Sequence, residues 1–135
     1  MGKKSIFIDG EAGTTGLRIK SLLGPLLGSG QIELLSIDHE LRKNPDERKK
    51  FFGDADVSIL CLPDEEAVKA MDLVGKGRVI DASSAHRTNP DWVFGFPEMS
   101  KEQPDLIRKA KRVTNPGCYA TGAIAILKPL IDAGI

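Results

Sequence analysis

Ser5-Ile6-Phe7-Ile8-Asp9-Gly10-Glu11-Ala12-Gly13-Thr14-Thr15-Gly16 decides how the rest of the chain is read. Its first part is an apolar run without polar alternation, the pattern of a strand covered on both faces. The run stops at Asp9-Gly10, and Gly10, Gly13 and Gly16 follow at a spacing of three. Leu17, Ile19, Leu22 and Leu23 then begin a helical pattern. Strand, glycine-rich turn and helix form the arrangement in which backbone N–H groups at a helix N-terminus hold a pyrophosphate. The spacing is G-x-x-G-x-x-G rather than G-x-G-x-x-G, so the pattern draws its weight from its place directly after the first strand. Gly10, Gly13, Thr14, Thr15 and Gly16 are therefore candidate cofactor-binding residues, against the alternative of a glycine turn that holds nothing.

Working outward, strand and helix alternate. Gly24-Pro25 is expected to end or kink the first helix, with Gly28-Ser29-Gly30 as the return. Residues 32–37 form the second strand, whose carboxyl end faces an adenine ribose. Two signals conflict there. Asp38 lies 22 residues after Gly16, near the spacing at which a carboxylate takes the ribose 2′-hydroxyl of NAD. Ser36 offers a strand-end hydroxyl, and Arg42-Lys43 would neutralise the 2′-phosphate of NADP; a strand ending at Ser36 tilts the choice to NADP and leaves NAD open. The polar stretch 44–50, with Pro45, reads as a loop with one helical turn. Residues 55–62 are the third strand, with Cys61 a small core residue.

Pro63 opens the next helix, and the carboxylates of Asp64, Glu65 and Glu66 complement its dipole rather than serve catalysis. Gly75-Lys76-Gly77 ends that helix, and 78–81 is the fourth strand. The loop 82–87 then lies at a strand carboxyl end, where an open α/β sheet presents its ligands. Pro63 and Ser83, at two such ends, join the candidate cofactor set. Arg87 carries the two-pronged guanidinium suited to a phosphate or carboxylate, with an ordinary surface arginine as the alternative. Residues 92–97 are extended, 98–108 helical, and 112–114 a short strand. The whole is an α/β chain of Rossmann-like, doubly wound type: a mostly parallel sheet with helices on both faces, the N-terminal nucleotide-binding part of a two-domain dehydrogenase.

Asn115-Pro116-Gly117-Cys118-Tyr119-Ala120-Thr121 is the other chemical stretch. Ala120, Ala123, Ile124, Leu127, Leu130 and Ile131 recur at helical spacing, which puts Cys118 at a strand-to-helix turn. Unpaired N–H groups at a helix start favour an anion, and so a thiolate. Asn115-Pro116 enforces an extended entry, and Gly117 permits backbone geometry that a side chain would forbid, so the sulfur stays approachable. A buried structural cysteine is the bland alternative. Residues 1–115 are read as the NAD(P)-binding domain and 116–135 as the cysteine loop and first helix of a catalytic domain.

Composition limits the partners. Nineteen basic residues balance nineteen acidic ones with no segregated basic face, which argues against nucleic acid. No apolar run reaches the length of a signal or membrane segment, so the expected place is the cytoplasm. No metal-ligand spacing stands out. Two cysteines in that compartment are expected as free thiols, although a Cys61–Cys118 bridge and a thiol-redox role stay open.

Gly10-x-x-Gly13-x-x-Gly16, Asp81-Ala82-Ser83-Ser84-Ala85-His86-Arg87, Gly95-Phe96-Pro97-Glu98 and Asn115-Pro116-Gly117-Cys118-Tyr119 together resemble the N-acetyl-gamma-glutamyl-phosphate reductase family in its shorter bacterial class. The related aspartate-semialdehyde dehydrogenases share the glycine spacing but surround their cysteine differently. The resemblance implies NADPH-dependent reduction of an acyl phosphate, N-acetyl-glutamyl 5-phosphate, to the semialdehyde in arginine biosynthesis. It makes Cys118 the nucleophile that forms a thioester, with Asn115 and the Cys118 N–H as candidates for the oxyanion. Arg87 is expected at the leaving phosphate or the substrate carboxylate. Members of the family run to roughly twice this length or more, as two domains require, and carry a general acid/base histidine well beyond the cysteine. His39 and His86 do not occupy that place, so the chain is expected to be an N-terminal fragment, inactive alone, of a protein that is a homo-oligomer at full length. A nucleotide-binding module without catalysis, or a related semialdehyde dehydrogenase such as aspartate-semialdehyde dehydrogenase, is the rival reading.

Overall fold

The computed structural model describes residues 2–135. The glycine turn joins β1 (Lys4–Asp9) to α1 (Thr14–Gly28), and β2 (Ile32–Leu35), α2 (Pro45–Asp54), β3 (Val57–Leu60), α3 (Asp64–Val74) and β4 (Val79–Asp81) follow. After the loop come β5 (Val93–Phe94), a 3₁₀ turn at Pro97–Met99, α4 (Gln103–Lys109), β6 (Arg112–Thr114) and α5 (Cys118–Asp132). The strands form one sheet in the order β2-β1-β3-β4-β6-β5, and every pairing is parallel.

From β1 the chain steps outward to β2 and then crosses back to β3, so the direction of winding reverses between β1 and β3. A crevice opens at the carboxyl ends of the strands at such a reversal. Right-handed crossovers place α1 and α4 on one face of the sheet and α2 and α3 on the other. The second face carries the main core: Phe7, Leu60 and Val79 meet Phe52 of α2 and Ala67, Ala70 and Val74 of α3. Phe7 stacks on Phe51 and meets Phe52 edge-on, with ring centroids 5.3 and 5.2 Å away. Period-two alternation turns Ile8 and Ile59 to the opposite face, where they are also buried.

The same alternation puts Asp9, Asp81 and Thr114 on the α2/α3 side at the last register position of their strands, each of them buried. A row of polar groups therefore closes the core just beneath the sheet edge where ligands would lie.

Four local expectations are corrected. The stretch beginning at Asn44 is a full helix, because the Asn44 side chain accepts from the Asp46 and Glu47 N–H groups, Pro45 takes a first-turn position, and Phe52 anchors the far end. Helix α1 passes through Pro25; the missing N–H leaves only the Ser21 carbonyl without its helical partner, on an exposed turn. The second strand stops at Leu35, not residue 37. The expected helix 98–108 divides into the 3₁₀ turn and α4.

Candidate active site

Two close approaches shape the glycine turn. Gly10 has φ of 90°, and a Cβ there would stand 2.3 Å from the Cys61 carbonyl oxygen. At Gly16 a Cβ would lie 2.4 Å from the Gly10 carbonyl oxygen and 2.7 Å from the Glu11 Cα, so α1 packs directly on the turn that precedes it. Gly13 is the N-cap of α1 and has no side chain with which to cap it, and the first turn carries no acid. Its N–H groups are left open to whatever lies over the turn. By contrast, α2 is capped by Asn44, and α3 starts with Asp64, Glu65 and Glu66. Only α5 repeats the open start of α1: its N-cap is Gly117, again with no capping side chain and no first-turn acid.

A cleft of about 920 Å³ lies over the turn and is bordered by Gly10, Gly13, Ser36 and Arg42 among others. Gly13, Thr14, Thr15 and Pro63 border a second opening of about 330 Å³ that reaches Cys61 and Ala82. Gly16 is buried beneath both. Ser83 borders neither: its hydroxyl is 2.7 Å from Asp81 Oδ2, and its N–H donates to Oδ1 at 2.9 Å. At the end of β2, Ser36 faces the cleft while Asp38 does not border it. Arg42 donates to the His39 carbonyl at 2.9 Å. A cradle that a single methyl would fill, beneath an uncapped helix, fits the diphosphate of a dinucleotide.

Sequence patterns gave no sign of the buried polar pairs that frame the cleft. Arg48 of α2 reaches Asp9 Oδ2 with its terminal nitrogen at 2.6 Å and with Nε at 3.2 Å. Burial raises the Asp9 carboxyl above its ordinary value, and Arg48 draws it back only in part. Burial, with Asp9 and Asp81 nearby, pushes the Cys61 thiol up to about 11. That argues against Cys61 as a redox partner, and both cysteines are free.

At β4 the fully buried Asp81 collects Ser83 and the Nδ1 of His86 at 2.6 Å, and the imidazole stacks on Trp92 with centroids 4.2 Å apart. This packing makes His86 a structural residue of the loop. Ser84 donates to Asp64 from its hydroxyl (2.5 Å) and its N–H (2.9 Å), which ties the β4 loop to the start of α3 and holds the Asp64 carboxyl below the usual range.

The loop so fixed carries Arg87 to the cysteine turn. Its Nε donates to the Asn115 carbonyl at 3.2 Å, and one terminal nitrogen donates to the Ala82 carbonyl at 3.3 Å. The backbone at Gly117 is ordinary extended chain, with φ of −78° and ψ of 159°, so the expectation that its conformation demands glycine is corrected: what a side chain would meet is Arg87, whose other terminal nitrogen would lie 2.6 Å from a Cβ there. Three of the five guanidinium N–H groups stay free for an anion. The Asn115 N–H is anchored on the Asp81 carbonyl at 2.7 Å, and the Asn115 side chain is exposed. Cys118 is the first residue of α5 and is exposed, as is Tyr119 at 92%. The apolar positions of α5 form a helix as expected, but none of its residues is buried.

An all-parallel sheet whose winding reverses over a glycine cradle belongs to the dinucleotide-binding α/β class of proteins. Within that class the chain is a member of the family described as semialdehyde dehydrogenase, NAD binding domain, which matches residues 27–107, more than half of its length. It is 52% identical over 132 residues to N-acetyl-gamma-glutamyl-phosphate reductase of Chelativorans sp. (strain BNC1), a match covering 96% of this chain and 42% of that protein. Over 136 residues it is 50% identical to the reductase of Sinorhizobium medicae (strain WSM419), covering 98% and 43%. N-acetyl-gamma-glutamyl-phosphate reductase 2 of Nostoc sp. (strain PCC 7120 / SAG 25.82 / UTEX 2576) is 52% identical over 137 residues, covering 100% and 42%. The chain thus spans less than half the length of these curated relatives. Solved structures of aspartate semialdehyde dehydrogenase share the fold: that from Francisella tularensis has a TM-score of 0.67 at 16% identity, covering 96% of this chain and 41% of that one. The enzyme II of Vibrio cholerae complexed with ASA gives 0.64 at 18%, covering 97% and 47%.

Proposed function

We propose that this chain is the cofactor-binding and nucleophile-bearing part of an N-acetyl-gamma-glutamyl-phosphate reductase. The reaction is NADPH-dependent reduction of N-acetyl-L-glutamyl 5-phosphate to the 5-semialdehyde with release of phosphate, in arginine biosynthesis. One observation carries the reading. Of the helices that follow strands in this sheet, only α1 and α5 start uncapped and without first-turn acids, and α5 starts with an exposed cysteine.

Gly10, Gly13, Thr14, Thr15 and Gly16 hold the diphosphate over the start of α1. Ser36 and Arg42 lie at the ribose end, and Pro63 borders the second opening together with Ala82 of the β4 loop. Ser83 acts from beneath, by fixing the loop through Asp81. When bound, NADPH supplies a hydride. Cys118 Sγ attacks the acyl carbon, the C–O bond to phosphate breaks, and a thioester remains on the sulfur. The Cys118 N–H and the Asn115 side chain are the donors for the oxyanion, and Arg87 receives the departing phosphate with its free N–H groups. The hydride that bound NADPH would supply would convert the thioester held on Cys118 to aldehyde, the C–S bond breaking and the thiolate returning.

Neither histidine serves as acid/base: His86 is bound to Asp81, and His39 borders the far end of the cleft. We assign that role, the remaining substrate contacts and the subunit interface of a homo-oligomer to the part of the protein that the relatives carry beyond this match. Residues 1–115 then form the NAD(P) domain, and 116–135 begin the catalytic one, of a cytoplasmic enzyme. Residues 1–135 by themselves should bind NADPH without steady turnover.

The experiment is Cys118→Ser in the full-length protein. Turnover of the acyl phosphate should fall by at least about 10⁴-fold, the scale seen when a catalytic nucleophile is removed, while NADPH binding is unchanged. Undiminished turnover would overturn the assignment.

A further inference from the structure

The cofactor reading gives no part to Glu11, a charge that borders the cleft. Glu11 follows Gly10 in the glycine turn, and its carboxylate leans across to the end of β2, where Oε2 accepts from Ser36 Oγ at 3.0 Å and from Lys20 Nζ at 3.2 Å. Its side chain is 20% exposed, against 46% for Lys20. Arg42 and Lys43 border the same end of the cleft; Asp38, the carboxylate that sequence spacing offers for a ribose, does not. Thus the acid at the strand-end hydroxyl comes from the turn after β1, not from the residues after β2.

The carboxyl end of β2 is where a dinucleotide's adenosine ribose lies in a sheet of this kind. Charge at that point is selective by sign. A carboxylate accepts from a 2′-hydroxyl and repels a 2′-phosphate; ammonium and guanidinium groups do the opposite. Glu11 already occupies Ser36, the hydroxyl that would donate to a 2′-phosphate.

We propose that Glu11 is a specificity-determining residue of the cofactor site, one that opposes a 2′-phosphate and supports a 2′-hydroxyl. Lys20 neutralises it in part, and the preference of the site is the balance of Glu11 against Lys20, Arg42 and Lys43. A 2′-phosphate must turn the carboxylate away from Ser36, whereas a 2′-hydroxyl can join the existing hydrogen bonds.

This rests on the reading that the cleft takes a nicotinamide dinucleotide, and the test separates the two. NADPH and NADH are titrated, by the change in nicotinamide fluorescence, into the full-length protein and its Glu11→Gln and Lys20→Gln variants at low and high salt. Glu11→Gln should tighten NADPH about tenfold and weaken NADH about threefold, as expected for loss of one like charge and one charged acceptor. The gain for NADPH should shrink with salt. Lys20→Gln should weaken NADPH and leave NADH nearly unchanged, which keeps the test decisive if the first variant folds poorly. Wild-type binding of either dinucleotide with a ratio that neither variant moves overturns the role of Glu11 alone. No binding of either to the wild type overturns the cofactor reading and this inference with it.

Discussion

A methyl group is a sharp probe of the two glycine sites, because each would meet a different kind of neighbour. At Gly16 it would strike the backbone of the glycine turn, at 2.4 Å from the Gly10 oxygen and 2.7 Å from the Glu11 Cα. Gly16→Ala should therefore lower stability by about 2–3 kcal/mol in urea unfolding, the upper range for overpacking, and should weaken NADPH binding. At Gly117 the methyl would meet only the tip of Arg87, which can move. Gly117→Ala should leave stability within about 1 kcal/mol of wild type yet lower turnover of the full-length protein, since it displaces the guanidinium from the cysteine turn. Equal stability losses in the two variants would contradict this. The cysteines differ in the same local way. With its thiol pushed up to about 11, Cys61 should resist alkylation at neutral pH while exposed Cys118 reacts, so mass spectrometry should find one adduct per chain. A second adduct should appear only as the pH climbs toward that value.

Among the elements, α2 is bound to the cleft by one ion pair. Asp9 is raised above its unfolded value, so its neutral form favours the fold at low pH, and that advantage is lost as pH rises through the carboxylate range. Arg48 limits the loss, at 2.6 Å and with only 13% of its side chain exposed. Arg48→Met should cost about 3 kcal/mol near pH 7, where an uncompensated buried carboxylate remains, and much less near pH 4. Urea melts at the two pH values check it; an equal loss at both would mean that the pair contributes by packing alone. This helix also marks where sequence reading ran out. Strands β1, β3 and β4 were legible because burial on both faces leaves continuous apolar runs. In α2 only Phe51 and Phe52 give an apolar signal, and the capping role of Asn44 is easily read as a loop residue. The glycine turn and the Cys118 turn were legible as local strand-to-helix patterns. The Asp9–Arg48 pair, the Arg87–Asn115 contact and the Glu11–Ser36 bond join residues 25 to 39 positions apart, so no local pattern announces them.

For the molecule as a whole, burial is uneven. The α2/α3 face holds the main core, while α5 buries no residue and shows Tyr119, Ile126, Leu127 and Ile131 to solvent; on α1, Leu17 and Leu22 are exposed as well. Apolar surface of this extent is a liability when nothing covers it. A polypeptide of residues 1–135 should self-associate with rising concentration in sedimentation velocity, and Ile126→Lys with Ile131→Lys should suppress the association without altering NADPH binding. Unchanged association would mean that another surface is responsible.

The order of strands also sets a timetable for synthesis. β1 leaves the ribosome before the other strands of this sheet, yet one of its two neighbours is β3, whose Val57 pairs with Ile6 and whose Leu60 pairs with Asp9. At about 5–20 residues translated per second, the earliest-made strand waits roughly 3–10 s for that neighbour. A nascent chain therefore carries β1 half-paired through a long stretch of elongation, and a chaperone that shields this strand should raise the yield more than one acting after release.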